Sequence, residues 1–430
     1  MKPQSLSAIR GTAFGLMLTG VLGAAAWAAD WPQWRGPERS GVSKETGLLK
    51  AWPAEGPTVA WKSTGRGEGH STPSVANGRI FGMGLKGSDE VVWALDAKTG
   101  KEVWSTRVAP GITLDARQGG DGSRGTPTVD GDKLYALGVA GDLVCVNIAD
   151  GKLVWQKNLV KDFGGSIPSW GYSESPLVDG GNVVATPGGT DATLVALDKK
   201  TGTPVWKSQV PSGNRVAYSS CIAADLNGQR QYIQFLAGGV VGVAAKTGKF
   251  LWRYDAPASR GGINCSTPIY RDGFVFAASA YQNGGGLAKL TPSTDGSGTV
   301  KAEEVYFTKE MQNHHGGMVL VGDYLYGFDN SNLTCLEFKT GKMMWADRSV
   351  GKGSLTYADG LLICRSERGP VALVEASPKG YVEKGRFEQT DRSRAASWPY
   401  PVVANGRLYL RDQENLLCYD IKQAGTSAAK

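Results

Sequence analysis

The sequence has few runs that favour helix, and beyond its first thirty residues no apolar stretch is long enough to cross a bilayer. It has no nucleophile elbow and no phosphate-cradling glycine signature in a strand–helix setting, which removes the motif-based case for an α/β hydrolase or a nucleotide-binding enzyme. Histidine is scarce, at three residues, and no two of the six cysteines are adjacent. Charge is weak as well. The formal +7 falls to +5 when Lys2 and Arg10 are set aside, and the remaining positive charge is scattered. Nothing in it forms a nucleic-acid footprint.

What the chain does have is glycine and tryptophan, 60 and 13 residues respectively, and a phrase that recurs. Ala94-Leu95-Asp96-Ala97-Lys98-Thr99-Gly100-Lys101-Glu102-Val103-Trp104 reads as a hairpin. Val91, Trp93 and Leu95 alternate along one strand, Asp96 to Gly100 supply turn chemistry, and Glu102 to Trp104 begin the next strand. The phrase returns ending at Trp155, Trp206, Trp252 and Trp345, with Tyr306 and Phe387 standing in for tryptophan. Trp61 belongs to the same series, which makes eight copies spaced 39 to 54 residues apart. Each copy has room for four strands. In the first, Ser71–Ala76 and Arg79–Gly84 precede the hairpin.

The two ends complete each other. Thr58-Val59-Ala60-Trp61-Lys62 looks like a second hairpin strand without its partner, and Leu416 to Asp420 like a first strand without its successor. Four-stranded units of this period, closed by joining the ends, predict an all-β fold: an eight-bladed β-propeller of antiparallel blades over 58–422. Closure pairs strand edges that would otherwise be exposed. A solenoid needs no such complementary halves.

Residues 1–28 read as a secretory signal peptide. Lys2 and Arg10 flank its start, Phe14 to Val21 form a short apolar run, and Ala26-Trp27-Ala28 offers a small-x-small cut near Ala28. The expected location is therefore the periplasm or the medium. No cysteine follows the predicted cut, which argues against a lipid anchor. Residues 29–57, with Trp31-Pro32-Gln33-Trp34-Arg35-Gly36-Pro37, are too rich in Pro and Gly for regular elements, and Trp31 and Trp34 are expected to dock on the outside of the body. Residues 423–430 read as a frayed tail. Cys145, Cys335 and Cys418 share a repeat position with Ala94, Ala196 and Gly242, so that position is a small buried site. Bridges among those three are not expected, whereas a Cys221–Cys265 bridge between adjacent repeats stays open.

The Asp-x-x-Thr-Gly-x-x-x-Trp phrase at 96–104, with the same letters at 198–206, resembles the repeat of the PQQ-like β-propeller family, over about residues 58 to 421. That family includes quinoprotein alcohol dehydrogenases, an outer-membrane assembly lipoprotein and secreted proteins without defined activity. Membership therefore implies the fold and leaves the chemistry open.

Aligning the repeats on the first strand of each gives one position that reads His70, Arg124, Ser173, Tyr218, Cys265, His314, Lys352 and Trp398 around the ring. The next position reads Ser71, Gly125, Glu174, Ser219, Ser266, His315, Gly353 and Pro399. First strands line the central channel, so these residues should crowd its mouth. The repeats diverge here, as a ligand-facing surface would. The long loops Ala109–Ser123, with Arg117 and Asp121, and Val160–Gly171, with Phe163 and Trp170 and then Tyr172, could wall a pocket. The leading expectation is a binding or scaffold module, monomeric, that takes a small-molecule or protein ligand at the channel mouth.

The resemblance implies an alternative, a PQQ- and Ca²⁺-dependent oxidoreductase. It would place Glu174 and Asn264 on the metal, Arg124 near the quinone and Trp398 or Trp170 against its face, with His70, Tyr172 and Tyr218 completing the cofactor site. Where the family has a catalytic Asp, this chain has His314-His315. An assembly-factor role is a third reading. A transition-metal site from His70, His314 and His315 would require a narrow channel.

Overall fold

Asp96 explains the repeat locally. Its carboxylate Oδ1 accepts from Thr99 N at 2.8 Å and from the Thr99 hydroxyl at 2.7 Å, while Gly100 N donates to Asp96 O at 2.9 Å. Gly100 turns at φ +69, which only glycine does without strain. The strand that follows carries a bulge just before its aromatic residue. Trp104 pairs with Ala94 and Glu102 with Leu95, which leaves Val103 looped out. The same irregularity precedes Trp61, Trp155, Trp206, Trp252, Tyr306 and Trp345.

The bulge aims the indole at the next blade. Trp104 Nε1 donates to Ile148 O at 2.9 Å, Trp155 Nε1 to Lys199 O at 3.0 Å and Trp206 Nε1 to Ala245 O at 2.9 Å. In each case the ring also lies against the turn glycine of that blade, Gly151, Gly202 or Gly248. Blade 4 is the exception. Its Trp252 donates to Gln231 in its own blade, and the next blade offers no Asp-x-x-Thr-Gly turn. The small repeat position follows from the same geometry: Cys145, Cys335, Cys418, Ala94, Ala196 and Gly242 each pair directly with the wedge tryptophan.

The computed structural model describes Met1 and residues 30–114, 122–213, 215–294 and 297–423. The signal peptide, Arg117, Asp121 and the tail after Gln423 lie outside the described residues. Eight sheets form the ring, each a four-stranded antiparallel meander. Blade 1 runs Ser74–Ala76, Arg79–Lys86, Asp89–Asp96 and Glu102–Pro110; blade 8 runs Val402–Ala404, Arg407–Asp412 and Asn415–Asp420. Val59–Ser63 completes blade 8 as its outer strand, with Trp61 opposite Cys418. The closure expected from the two half-repeats is present. All six cysteines are free, so Cys221 and Cys265 are not bridged.

The N-terminal segment is where the structure departs from expectation. Trp31 and Trp34 do not sit on the outside. Residues 31–45 run through the central channel as a strap that touches the inner side of every blade. Trp31 pairs with Val75 in blade 1, Val129 N of blade 2 donates to Pro32 O at 2.8 Å, and Trp34 Nε1 donates to Thr267 of blade 5 at 2.8 Å. The Arg39 guanidinium donates to Ser175 O and Pro176 O of blade 3 and to Cys221 O of blade 4. Arg35 donates to Met318 O of blade 6. Val42–Ser43 adds a parallel fifth strand to Gly353–Ala358 of blade 7, and Ser43 Oγ donates to Val403 O of blade 8. The reason is polar satisfaction: the channel wall presents backbone carbonyls that need donors away from water, and two guanidiniums supply them. Burial lowers the Arg39 pKa to about 10, which leaves it charged at neutral pH.

Candidate functional site

A pocket opens at the end of the channel where each blade is entered. Its wall is made by Thr72 and His70 of blade 1, Arg124 of blade 2, Trp170 and Ser173 of blade 3, Tyr218 of blade 4, Ile263, Cys265 and Tyr281 of blade 5, His314 and His315 of blade 6, and Trp398 and Tyr400 of blade 8. Trp34 of the strap lines it too, bonded to Thr267 two residues past the wall residue Cys265, and so forms the floor of a cup. The cavity volume is about 130 Å³. Seven of the eight residues expected at the first ring position line it; Lys352 does not, and is ion-paired with Glu367 at 3.3 Å.

The second ring position behaves differently, because neighbouring residues in an extended segment point to opposite sides. Ser71, Glu174, Ser219 and Ser266 are buried behind the wall, and only His315 reaches the cup. Glu174 is 0 % exposed and accepts from Thr186 N at 2.8 Å, the Thr186 hydroxyl at 3.0 Å and Gln234 Nε2 at 3.0 Å. Burial pushes its pKa up to about 7 against those hydrogen bonds and the charge of Arg39. Asn264 is likewise committed, its Oδ1 to Ser259 and its Nδ2 to Leu236 O and Ala237 O. Tyr172 is a core residue whose hydroxyl donates to Pro187 O at 2.9 Å. These three are not at the cup.

Aromatic contacts organise the wall. Trp398 stacks on His70 at 4.4 Å between centroids, lies 5.4 Å from His315, and has the Arg124 guanidinium 5.3 Å from its ring centre. Trp170 meets Tyr218 edge-on at 5.6 Å. Below the floor, Arg35 lies 5.4 Å from the ring of Tyr400. A third set of residues comes from the hairpin tips between the second and third strands, on the same face. Tyr281 Oη is 2.9 Å from His314 Nε2, and Glu367 bonds His315 Nε2 and accepts from Trp398 Nε1 at 3.1 Å. Sequence reasoning missed Tyr281, Glu367 and Trp34 because it followed only the entry to each first strand. One signal was available in the sequence: a bulky Tyr281 next to the turn residues Asn283 and Gly284, which the structure holds at φ +59, where Gly or Asn is usual.

The electrostatics follow from burial. His314 is held at about 3 by burial, then by the neighbouring His315 and Lys352, with Glu367 opposing. Burial likewise lowers His315, against the opposing hydrogen bond and charge of Glu367, whose carboxylate meets its Nε2. Burial of Glu367 opposes ionisation, yet the hydrogen bond from His315 and the Lys352 ammonium outweigh it and keep the carboxyl ionised well below its ordinary range. Cys265 is pushed up to about 12 by burial, so it is a thiol and not a thiolate nucleophile at neutral pH. Among the described residues Arg124 is the charged side chain that lines the cup, and the Glu367 carboxylate is engaged by His315, Lys352 and Trp398.

His314 predicts a pH signature. Its folded pKa lies below the ordinary 6.5, so the unfolded chain binds the extra proton, and stability falls as pH drops from 6.5 towards 3. By pH 5 the loss is about 2 kcal/mol. Glu174, raised to about 7, contributes the opposite slope between 7 and 4.5, so the comparison must be with a variant. Urea unfolding at pH 7.5 and pH 5 should show His314→Gln losing about 2 kcal/mol less than the native chain. Equal losses would contradict the buried neutral imidazole.

The residues do not fit a Ca²⁺–quinone site. The two expected metal ligands, Glu174 and Asn264, are buried behind the wall with their oxygens engaged, and no group of three or more His, Cys, Asp or Glu among the described residues could hold a metal. His70, His314 and His315 share the cup without forming such a group.

Comparison with known proteins agrees with the fold. A family model described as outer membrane protein assembly factor BamB matches residues 23–166 and 89–347. BamB of Burkholderia pseudomallei is 27% identical over 82% of this chain and 84% of its own, and BamB of Yersinia pestis 22% identical over 83% and 86%. Tetrathionate hydrolase of Acidithiobacillus ferrooxidans is 25% identical over 62% of this chain, which spans about half (51%) of the hydrolase. Among solved structures, quinohemoprotein alcohol dehydrogenase from Comamonas testosteroni superposes with a TM-score of 0.63 at 14% identity, covering 93% of this chain and 82% of its own. BamB from Moraxella catarrhalis gives 0.61 at 15%, covering 85% and 100%. With the repeat, its register, the ring closure and the family model in agreement, the chain belongs to the PQQ-like β-propeller family.

Proposed function

We propose that this protein is an exported binding module whose channel mouth captures a small organic anion with an aromatic body. The carrying observation is the composition of the cup, aromatic and imidazole rings from six blades around the Arg124 guanidinium, with the Glu367 carboxylate engaged by His315, Lys352 and Trp398. Such a site pairs apolar faces with a few placed polar groups, as ligand pockets do. Its volume approaches that of an apolar cavity that takes a single benzene-sized ring. Export is supported by the charged and apolar pattern of residues 1–28 and by the similarity to BamB, an outer membrane protein assembly factor. An oxidoreductase reading has the weaker support, because its metal ligands are committed elsewhere.

Calorimetry with benzoate, benzamide, acetate and phenyltrimethylammonium tests the reading. Benzoate should bind at least about tenfold more tightly than the other three, and Arg124→Gln should remove most of that advantage. Silence of all four probes sinks the ligand site; preference for the ammonium reverses its charge.

The assembly-factor relatives, which match over most of both chains, support a second reading in which the same face holds a protein segment. Restoration of outer-membrane assembly in a Yersinia pestis strain lacking its own factor is the expected result of that reading, and no restoration rejects it.

A further inference from the structure

We infer that Trp34 sets the size limit of the ligand, so that selectivity is decided by the N-terminal strap and not by the propeller that surrounds it. The inference rests on the reading of the cup as a ligand site. Every wall residue is carried by a blade, but the floor is carried by the strap. Trp34 is fixed there by two contacts: its Nε1 donates to the Thr267 hydroxyl at 2.8 Å, and its ring meets Tyr400 edge-on at 4.6 Å.

The support beneath it is rigid. Gly36 N donates to Gln33 O at 3.0 Å, Arg39 N to Gly36 O at 3.0 Å and Gly41 N to Arg35 O at 2.9 Å, which closes residues 33–41 into a compact knot. Arg35 and Arg39, both buried, tie that knot to the carbonyls of three blades. A floor held in this way does not yield to a larger ligand, because moving it would strip donors from buried carbonyls. The wall has no comparable freedom, since its residues are spaced by the blade repeat. A single side chain on the strap therefore tunes cup depth without disturbing blade geometry.

Calorimetry with benzoate and 2-naphthoate on the native protein, Trp34→Ala and Trp34→Phe tests this. The native protein should prefer benzoate. Trp34→Ala should raise the naphthoate-to-benzoate affinity ratio by about tenfold or more, since burying a second ring adds apolar area. Trp34→Phe, which keeps an aromatic floor but loses the bond to Thr267, should fall between the two. An unchanged ratio in Trp34→Ala with a cooperative unfolding transition overturns the inference. If the alanine variant does not fold, an unchanged ratio in Trp34→Phe overturns it instead. Absence of benzoate binding to the native protein overturns the ligand site itself, a separate result.

Discussion

Arg39→Met should lower the unfolding free energy by about 3–5 kcal/mol, read from urea unfolding followed by tryptophan fluorescence. The side chain is fully inside the channel, and its guanidinium satisfies Ser175 O, Pro176 O and Cys221 O, with Nε on Gln33 at 2.9 Å. Methionine fills much of the volume but withdraws the guanidinium from three carbonyls in a place water does not reach, of which Pro176 O keeps the Thr128 hydroxyl at 2.6 Å. Arg39→Lys should rescue little, because one ammonium cannot serve a planar set of acceptors on two blades. Glu174 adds a second signature. Arg39 is one of the groups that oppose the rise of its pKa, so removing the cation raises that pKa further. A loss below about 1 kcal/mol would mean that the strap is held mainly by its backbone pairing and not by its arginines.

The second large effect belongs to the seam that closes the ring. Gly100→Ala should cost about 3–5 kcal/mol, from two additive sources. The residue turns at φ +69, and a Cβ there would lie 2.5 Å from Trp61 Cε3. Trp61→Ala should cost a similar 3–5 kcal/mol by opening a cavity between blades 8 and 1 and losing the bond from Nε1 to Ala97 O at 3.1 Å. The two should not add. Without the indole the alanine methyl has room, so Gly100→Ala in the Trp61→Ala background should retain only the backbone cost, about 1 kcal/mol. Full additivity in a double-mutant cycle would show that Gly100 is required for its turn alone.

Much of the propeller was legible in advance because its determinants are local. Asp96, Thr99 and Gly100 close a turn by contacts within five residues, and Trp104 marks the strand after it, so eight copies could be counted by eye. The first ring position was legible for the same reason: strand periodicity puts His70, Arg124, Tyr218, His314 and Trp398 on the channel side. Period 2 also explains what went astray. Glu174 and Asn264 each sit one residue from a cup residue, Ser173 and Cys265, and one step in an extended segment turns a side chain from cavity to core. Tyr281 and Glu367 were missed because their turns are separated in sequence from the strand entries they meet.

By itself the sequence determined the blade count, the closure by Val59–Ser63 and the ring of residues facing the mouth, since each follows from a repeating local interaction read in register. Only the tertiary structure decided the path of the strap, the floor under the cup and the pairing of Glu367 with His315. Those depend on which distant carbonyls lack donors and which hairpin tips converge once eight blades close. The physical reason is range. Turn bonds and strand alternation act within a few residues, whereas satisfying buried carbonyls on blades 3, 4 and 6 with Arg35 and Arg39 spans up to 283 residues of chain and exists only in the closed ring.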